Sequence, residues 1–558
     1  MTASNFIDSI SNNPIHIINE ILASKCGVND FFENQHEISY CITQRSKEEV
    51  DEYGDWQTNL DLAIEVCRKI KNNGIDPSVI IEPTCGKGNF IIAALMVFDN
   101  IKAVYGIEIY KPYIDDTKYQ ILQFYLNHNN DNIPDFHIYH ENIFDFDLKR
   151  LQKELSHEEI LIIGNPPWVT NDRLGKLNSS NIPQKYNFKK HKGLDSITGK
   201  GNFDISEYII IQLIKTFCND KTHIAFLLKN SVIKNIVHEQ YFAEYPIVSM
   251  NQYRIDAKKE FNVSVDASLL CMTFGKGYTL KCCTFDFYTG ETSGSYGWVE
   301  NKFVSNIEKY RITRFIEGKS QLTWWSGIKH DCAKVMELEQ VDGLLKNGLN
   351  ETVNIESGIL YPLAKSSDLQ PKDKLTKRKK YVIITQRHTS EETSIIKHKY
   401  PRAYNYLESH SEWFDKRGSR IYKSRPKFCI FGIGKYSFTK YKVAVSGLYK
   451  EPVFRLLTPV DDKPIMVDDT CYIIGFEDLK PAKITCMILN NELVLDFIRS
   501  IMFYDAKRSI TKDLLMRIDL VKAAMHIGAE KLAITQKEFN EYLNYLNKDM
   551  NISQETLF

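Results

Sequence analysis

The chain has 558 residues, with 71 Lys and Arg balanced by 71 Asp and Glu, 43% hydrophobic and 25% charged residues. This is ordinary globular composition, with material for about three domains at ~100–200 residues each. It excludes a helical membrane protein, since no run approaches the ~18 consecutive apolar residues of a span, and a total charge of zero superficially disfavours a nucleic-acid partner.

The opening MTASNFIDSISNNP has no basic stretch followed by an apolar one, so no secretory leader is expected. Residues 1–50 read as a helical N-terminal extension. From about 57 to 275, helix-like and strand-like segments alternate. Leu60–Lys71 has apolar residues at helical spacing, Val79-Ile80-Ile81 is a short apolar run closed by Pro and Gly, and Phe90–Phe98 is helical. Ala103–Ile109, Ile160–Ile163, Ile224–Leu228 and Ala267–Phe274 read as further strands. Strands alternating with helices at this spacing predict an α/β domain over 51–290, built on a doubly wound, mostly parallel sheet. The style changes after about 300, which places a boundary within 290–350 and a second, α+β domain over 300–558. There Lys372–Lys380 reads as a surface loop, Val443–Leu448 as a strand, Ile484–Arg499 as one helix, and the rest to Phe558 as helical and polar. Twelve Cys without a Cys-x-x-Cys pair predict reduced, cytoplasmic thiols and no metal site.

The neutral total conceals a local imbalance. Residues 361–460 carry 22 Lys and Arg against 8 Asp and Glu, an excess of +14 that the remainder offsets with −14. Tyr400, Tyr404, Tyr406, Trp413, Tyr422, Tyr436 and Tyr441 are interleaved with those cations. Cations neutralise phosphates and aromatic faces stack on bases, so the mixture suits a nucleic-acid groove. A solvated basic surface around a Tyr-rich core fits the same composition.

Three motifs carry chemistry. The first is Ile80-Ile81-Glu82-Pro83-Thr84-Cys85-Gly86-Lys87-Gly88-Asn89-Phe90, an apolar strand entering a glycine turn and then an apolar helix. Glycines there let the backbone approach a ligand, and the following helix N-terminus favours anionic groups. No Ser or Thr follows the Lys as in a phosphate loop, and the third glycine of a dinucleotide turn is missing. The second is Val104-Tyr105-Gly106-Ile107-Glu108, a strand ending in an acid about twenty residues past the turn, where a carboxylate can accept both ribose hydroxyls. The third is Leu161-Ile162-Ile163-Gly164-Asn165-Pro166-Pro167-Trp168. Its prolines fix φ and remove two N–H groups, so the Asn165 side-chain oxygen and the Pro166 carbonyl are held to accept from one amino group. Trp168 adds a face for stacking a base.

In this order the three motifs resemble the S-adenosylmethionine-dependent DNA amino-methyltransferases of restriction–modification systems, specifically the gamma-ordered N6-adenine class. The resemblance implies a class I, Rossmann-like methyltransferase domain followed by a target-recognition domain, with double-stranded DNA as partner. It implies that Asn165, Pro166, Pro167 and Trp168 are catalytic and that Trp168 and Phe261 stack on an extruded base. Thr58, Glu82, Pro83, Cys85, Gly86 and Gly88 would frame the methionine end of the cofactor, although Asn59 stands where the family has proline. Glu108 would hold the ribose, Ile109, Asn142 and Ile143 the adenine, and Phe203 and Asn165 the remaining wall; Asp145 competes with Asn142. DNA contacts are expected from Lys185, Lys189 and Lys190 in a polar loop with seven Lys and Arg against two acids. In the second domain they are expected from Arg387, Arg417, Arg420 and Arg425, with Gln386 and His388 as further candidates to read base edges. N4-cytosine methylation uses the same motif, and a non-catalytic specificity module is the alternative outside catalysis. No nuclease signature of paired acids and Lys is present, so any cognate restriction endonuclease is expected on a separate chain.

Overall fold

The computed structural model describes residues 2–34, 37–38, 57–128, 132–169, 204–370, 380–505 and 507–555. It divides into two compact units, Met1–Phe303 and Val304–Phe558. The first contains β1 (Val79–Glu82), β2 (Ala103–Glu108), β3 (Asp135–His140), β4 (Ile160–Gly164) and β5 (Thr222–Lys229). It continues with β6 (Ile247–Ile255), β7 (Ala267–Phe274), β8 (Lys281–Asp286), β9 (Thr292–Val299) and β10 (Lys302–Val304). These form one sheet in the order 10-9-8-6-7-5-4-1-2-3. β3, β2, β1, β4 and β5 run parallel. β7 inserts antiparallel between β5 and β6.

Every residue of β1 and β4 is buried, which is why both read as unbroken apolar runs rather than alternating ones. The crossover from β1 leads outward to β2 and β3 on one side, while β4 and β5 lie on the other. The chain therefore parts at the carboxyl ends of β1 and β4, where open α/β sheets place their clefts. Helix Leu60–Asn72 covers one face through Leu62, Ala63, Val66 and Ile70. Helix Asn89–Val97 is apolar almost throughout and buries Phe90, Ile91 and Ala94.

The N-terminal helices Ala3–Ile10 and Ile15–Cys26 belong to the same core, with Ile7, Ile18 and Leu22 clustering with Ile80, Phe90 and Leu161. They dock on helix Lys111–Asn127, where Ala3 N–H donates to Gln123 Oε1 at 2.8 Å and Ser4 N–H to the Tyr119 hydroxyl at 3.0 Å. Lys118 Nζ donates to the Asp30 and Phe31 carbonyls, each at 3.0 Å.

The second unit is α+β, as expected. Its strands are β11 (Trp325–Ser326), β12 (Glu337–Val341), β13 (Leu344–Asn347), β14 (Leu360–Ala364), β15 (Lys380–Ile383), β16 (Tyr441–Ser446), β17 (Phe454–Leu457), β18 (Met466–Val467) and β19 (Cys471–Phe476). They form a four-stranded sheet, 11-19-16-17, and a five-stranded one, 13-12-15-14-18. The expected single helix over Ile484–Arg499 is instead two, Leu479–Leu489 and Glu492–Ile501. Asn490 Nδ2 donates to the Phe454 and Cys486 carbonyls, both at 2.9 Å, and the Asn491 side chain caps the second helix at Leu493 N–H. Paired asparagines offer the backbone these alternatives to helical bonds, and two apolar half-helices hide the break in the sequence. Helices Leu520–Lys531 and Gln536–Glu555 follow. The expected loop at Lys372–Lys380 lies outside the described residues except for Lys380, which opens β15. No helix among the described residues is long and apolar enough to cross a membrane.

Candidate active site

The glycine turn leaves β1 at Glu82 and is wound tightly against β2. Cys85 N–H donates to the Ile107 carbonyl at 2.9 Å, and Gly88 N–H returns to the Cys85 carbonyl at 2.8 Å. Gly86 and Gly88 sit at φ +51° and +79°. A Cβ on Gly86 would stand 2.7 Å from the Gln57 amide, and one on Gly88 2.8 Å from Thr117 Cγ2. Backbone conformation demands glycine at both positions, and at Gly88 the close approach of Thr117 does so as well. Glu108, at the end of β2, holds the turn from the next strand. Its carboxylate accepts from Gly86 N–H and Tyr110 N–H, each at 2.9 Å.

Glu82 is 2% exposed, and its Oε2, like the buried Thr84 Oγ1, has no hydrogen-bond partner among the described residues. Burial, and then the charge of Glu108, raises the Glu82 carboxyl well above its ordinary value. The same burial makes the Cys85 thiol far less acidic than a free one. A carboxyl raised on folding contributes stability below its unfolded value and loses it as pH rises towards the folded one. Wild type is therefore expected to lose up to about 1.4 kcal/mol per pH unit above about 4.5 relative to Glu82→Gln, in the ligand-free chain. Urea unfolding across pH measures the gap, and a gap that does not widen contradicts the assignment.

Asn165 follows β4 and is fixed from a distant segment. Its Nδ2 donates to Thr58 Oγ1 at 3.2 Å, while Asn89 Nδ2 donates to the Thr58 carbonyl at 2.7 Å. Asn59, in the place of the family's proline, caps helix Leu60–Asn72 by accepting from Leu62 N–H at 2.8 Å. One short stretch thus touches Asn89 at the end of the glycine turn, Asn165 of the Asn-Pro-Pro-Trp motif and its own helix. Thr58→Val keeps the shape and removes the acceptor, so the Asn165 amide loses its orientation. A fall of about tenfold in methyl transfer is expected from the loss of one such bond, and full activity in that variant would deny Thr58 this role.

Trp168 is 5% and Phe261 6% exposed. Trp168 Nε1–H donates to the Leu227 carbonyl at 3.3 Å. The two rings meet edge to face, with centroids 5.2 Å apart and planes at 67°. They are neighbours, as the resemblance implies, but touch one another and leave no ring-wide slot between them.

A cavity of about 330 Å³ joins these groups. Thr58, Glu82, Pro83, Cys85, Gly86, Glu108, Ile109, Asn142, Ile143, Asn165, Pro166, Pro167 and Trp168 all line it. Gly88 and Phe261 do not: the first starts the helix below the turn, and the second stands behind Trp168. Asn142 lines the wall with its side chain accepting from Phe144 N–H at 3.1 Å, whereas Asp145 is not part of the lining. Gln57, Thr84, Tyr110, Tyr113, Phe144 and Ile205 also line the cavity and escaped the sequence reading. Of these, Tyr110 and Tyr113 had a signal: they stand two and five residues after Glu108, and their rings meet edge-on at 5.0 Å. Phe203, Lys185, Lys189 and Lys190 lie outside the described residues.

In the second unit Arg387, Arg420 and Arg425 are exposed. The Arg387 guanidinium lies over the Phe438 ring at 4.8 Å. Arg417 has a different environment from the expected DNA contact. Its guanidinium donates to the carbonyls of Phe414 (3.1 Å), His330 (3.5 Å), Cys429 (3.0 Å) and Lys427 (2.8 Å), which occupies four of five N–H donors. Gln386 is likewise unsuited to reading bases. It is 4% exposed, and its amide is bonded to His388 and Ile430 backbone groups.

No protein-family model matches the chain. The Type II methyltransferase M.NspV of Nostoc sp. (strain ATCC 29411 / PCC 7524) is 40% identical over 475 residues, covering 84% of this chain and 96% of its own. Among solved structures, the Type IIL restriction-modification enzyme MmeI in complex with DNA aligns at 12% identity, covering 88% of this chain and 73% of that one, with a TM-score of 0.48. The type IIG restriction endonuclease BpuSI aligns at 12% identity over 92% of this chain and 67% of its own, with a TM-score of 0.35. With 40% identity sustained along nearly the whole of M.NspV, this chain belongs to the Type II methyltransferases of restriction–modification systems.

Proposed function

We propose that the chain methylates the N6 amino group of an adenine rotated out of double-stranded DNA, using S-adenosylmethionine. The observation that carries this reading is that Asn165-Pro166-Pro167-Trp168 lines the same cavity as the glycine turn and Glu108. The cofactor fits what the cavity offers. Glu82 Oε2 and Thr84 Oγ1 are buried polar atoms lacking a partner among the described residues, and a carboxylate oxygen in that position suits a positively charged ligand. Glu82, Thr58 and the turn would hold the methionine portion, Glu108 the ribose hydroxyls, and Ile109, Asn142 and Ile143 the adenine. When bound, S-adenosylmethionine supplies an electrophilic methyl group on a sulfonium.

The chain's own residues prepare the acceptor. The Asn165 amide oxygen and the Pro166 carbonyl accept from the target amine, which draws its lone pair out of ring conjugation and aims it. Prolines at 166 and 167 make that geometry stiff, so little reorganisation is needed during reaction. A base stacked in duplex cannot reach the end of β4, so it must be rotated out, at a cost of a few kcal/mol recovered by stacking on Trp168. The reading includes action in the cytoplasm and a cognate restriction endonuclease carried by a separate chain.

Expression in a methylation-deficient host, followed by single-molecule mapping of modified bases, tests it. N6-methyladenine at one short sequence is the expected result. N4-methylcytosine would transfer the reading to the other amine that this motif activates, and unmodified DNA would overturn it.

A further inference from the structure

The second unit contains a short basic turn whose side chains divide between anchoring and presentation. Ser419 to Arg425 reads Ser-Arg-Ile-Tyr-Lys-Ser-Arg. Backbone bonds run from Tyr422 N–H to the Ser419 carbonyl (3.4 Å), from Lys423 N–H to Arg420 (3.2 Å) and from Arg425 N–H to Tyr422 (3.3 Å). These bonds close one tight turn over Arg420–Tyr422, after which Lys423 is extended and Ser424 sits at φ +64°.

The inward side is fixed. Tyr422 is buried, its hydroxyl donates to the Lys329 carbonyl at 3.2 Å, and its ring meets Phe431 edge-on at 5.4 Å. The Arg417 guanidinium lies 3.7 Å from the centre of the same ring and is itself held by four carbonyls. The outward side is charged and unneutralised. Arg420, Lys423 and Arg425 are exposed, and none makes an ion pair or a side-chain hydrogen bond among the described residues. Nearby cations are paired: Lys416 with Glu412 at 3.1 Å, Lys427 with Glu408 at 3.2 Å and Arg402 with Glu356 at 3.5 Å. Three unpaired cations on a rigid turn repel each other, a cost that a polyanion removes. Rigidity also limits the ordering entropy lost on binding.

We infer that the turn 419–425 grips the phosphate backbone of duplex DNA through Arg420, Lys423 and Arg425, and so supplies affinity that is independent of sequence. This rests on the functional reading above for its partner and assigns the contact to one turn. The test is binding of a mixed-sequence duplex to the full chain, followed by fluorescence anisotropy over a salt series. The slope of log affinity against log salt is expected to fall by about 1 for each of Arg420→Gln, Lys423→Gln and Arg425→Gln, and by about 3 for the triple variant. The pair Arg420→Lys with Arg425→Lys is expected to keep the wild-type slope, because a phosphate accepts any point charge. An unchanged slope in the triple variant overturns the inference, and a slope lost in the lysine pair replaces phosphate gripping with guanidinium-specific recognition. Should the triple variant unfold early, the slopes of the three single substitutions decide between the same two outcomes. Tritiated-methyl transfer to DNA is measured on the wild-type preparation alongside. Its absence defeats the functional reading, whereas transfer with an unaltered triple-variant slope defeats the turn alone.

Discussion

Asn165→Ala is expected to abolish methyl transfer while cofactor binding stays measurable. In the proposed mechanism the substitution removes the amide oxygen assigned to the target amine, and it also removes the bond from Asn165 Nδ2 to Thr58 Oγ1. It leaves Glu82, the glycine turn and the Gly86–Glu108 bond untouched. Deleting one preorganised group that stabilises a transition state costs roughly 10²–10³-fold, and loss of amine activation adds to that. The lost Thr58 bond contributes about 0.5–1.5 kcal/mol, roughly a two- to tenfold weakening of the cofactor. Tritiated-methyl incorporation and calorimetric titration of S-adenosylmethionine separate the two effects. Incorporation at the wild-type rate would sink the mechanism.

Trp168→Ala carries the second large effect, and here stability and base capture must be distinguished. Trp168 is 5% exposed and bonded through Nε1 to the Leu227 carbonyl, so truncation opens a core cavity worth about 3–5 kcal/mol. It also removes the face that the proposed mechanism stacks on the base, worth about 1–3 kcal/mol. Trp168→Phe restores most of the packing and an aromatic face, and is expected to recover stability and much of the activity. In a duplex carrying 2-aminopurine at the mapped target, wild type raises the fluorescence as the base leaves the stack. Trp168→Ala is expected to alter that signal, and an identical signal would contradict the stacking role. Because Phe261 meets Trp168 edge-on in the structure, a base seated between the two must first part them.

Much of the cofactor half is legible in the sequence for a physical reason. β1, β2, β4, β5 and β7 are covered on both faces, so burial writes continuous apolar runs. β3, DFHIYH at the sheet edge, is only partly buried and carries polar residues, and neither periodicity nor run length marks it. Helix Lys111–Asn127 hides similarly behind Lys-Pro and Asp-Asp at its start. In the site, chemistry written in one stretch is legible: the glycine turn and Asn-Pro-Pro-Trp each explain themselves. What depends on tertiary partners is not. The bond between Thr58 and Asn165 spans 107 positions, and nothing local announces it. Arg417 and Arg420 look equivalent in sequence, yet one is consumed by four carbonyls and the other stands in solvent. Charge counts alone cannot separate them.

The docking of the first helices on Lys111–Asn127 bears on how the chain folds. Ala3 reaches Gln123 across 120 positions, and Ser4 reaches Tyr119 across 115. During synthesis the apolar faces of Ala3–Ile10 and Ile15–Cys26 have no surface to close upon until those later residues have left the ribosome. Loop-closure entropy grows only logarithmically with separation, so the finished unit loses little stability to this arrangement. The burden falls on folding rate and on the interval during which Ile7, Ile18 and Leu22 remain open to wrong partners.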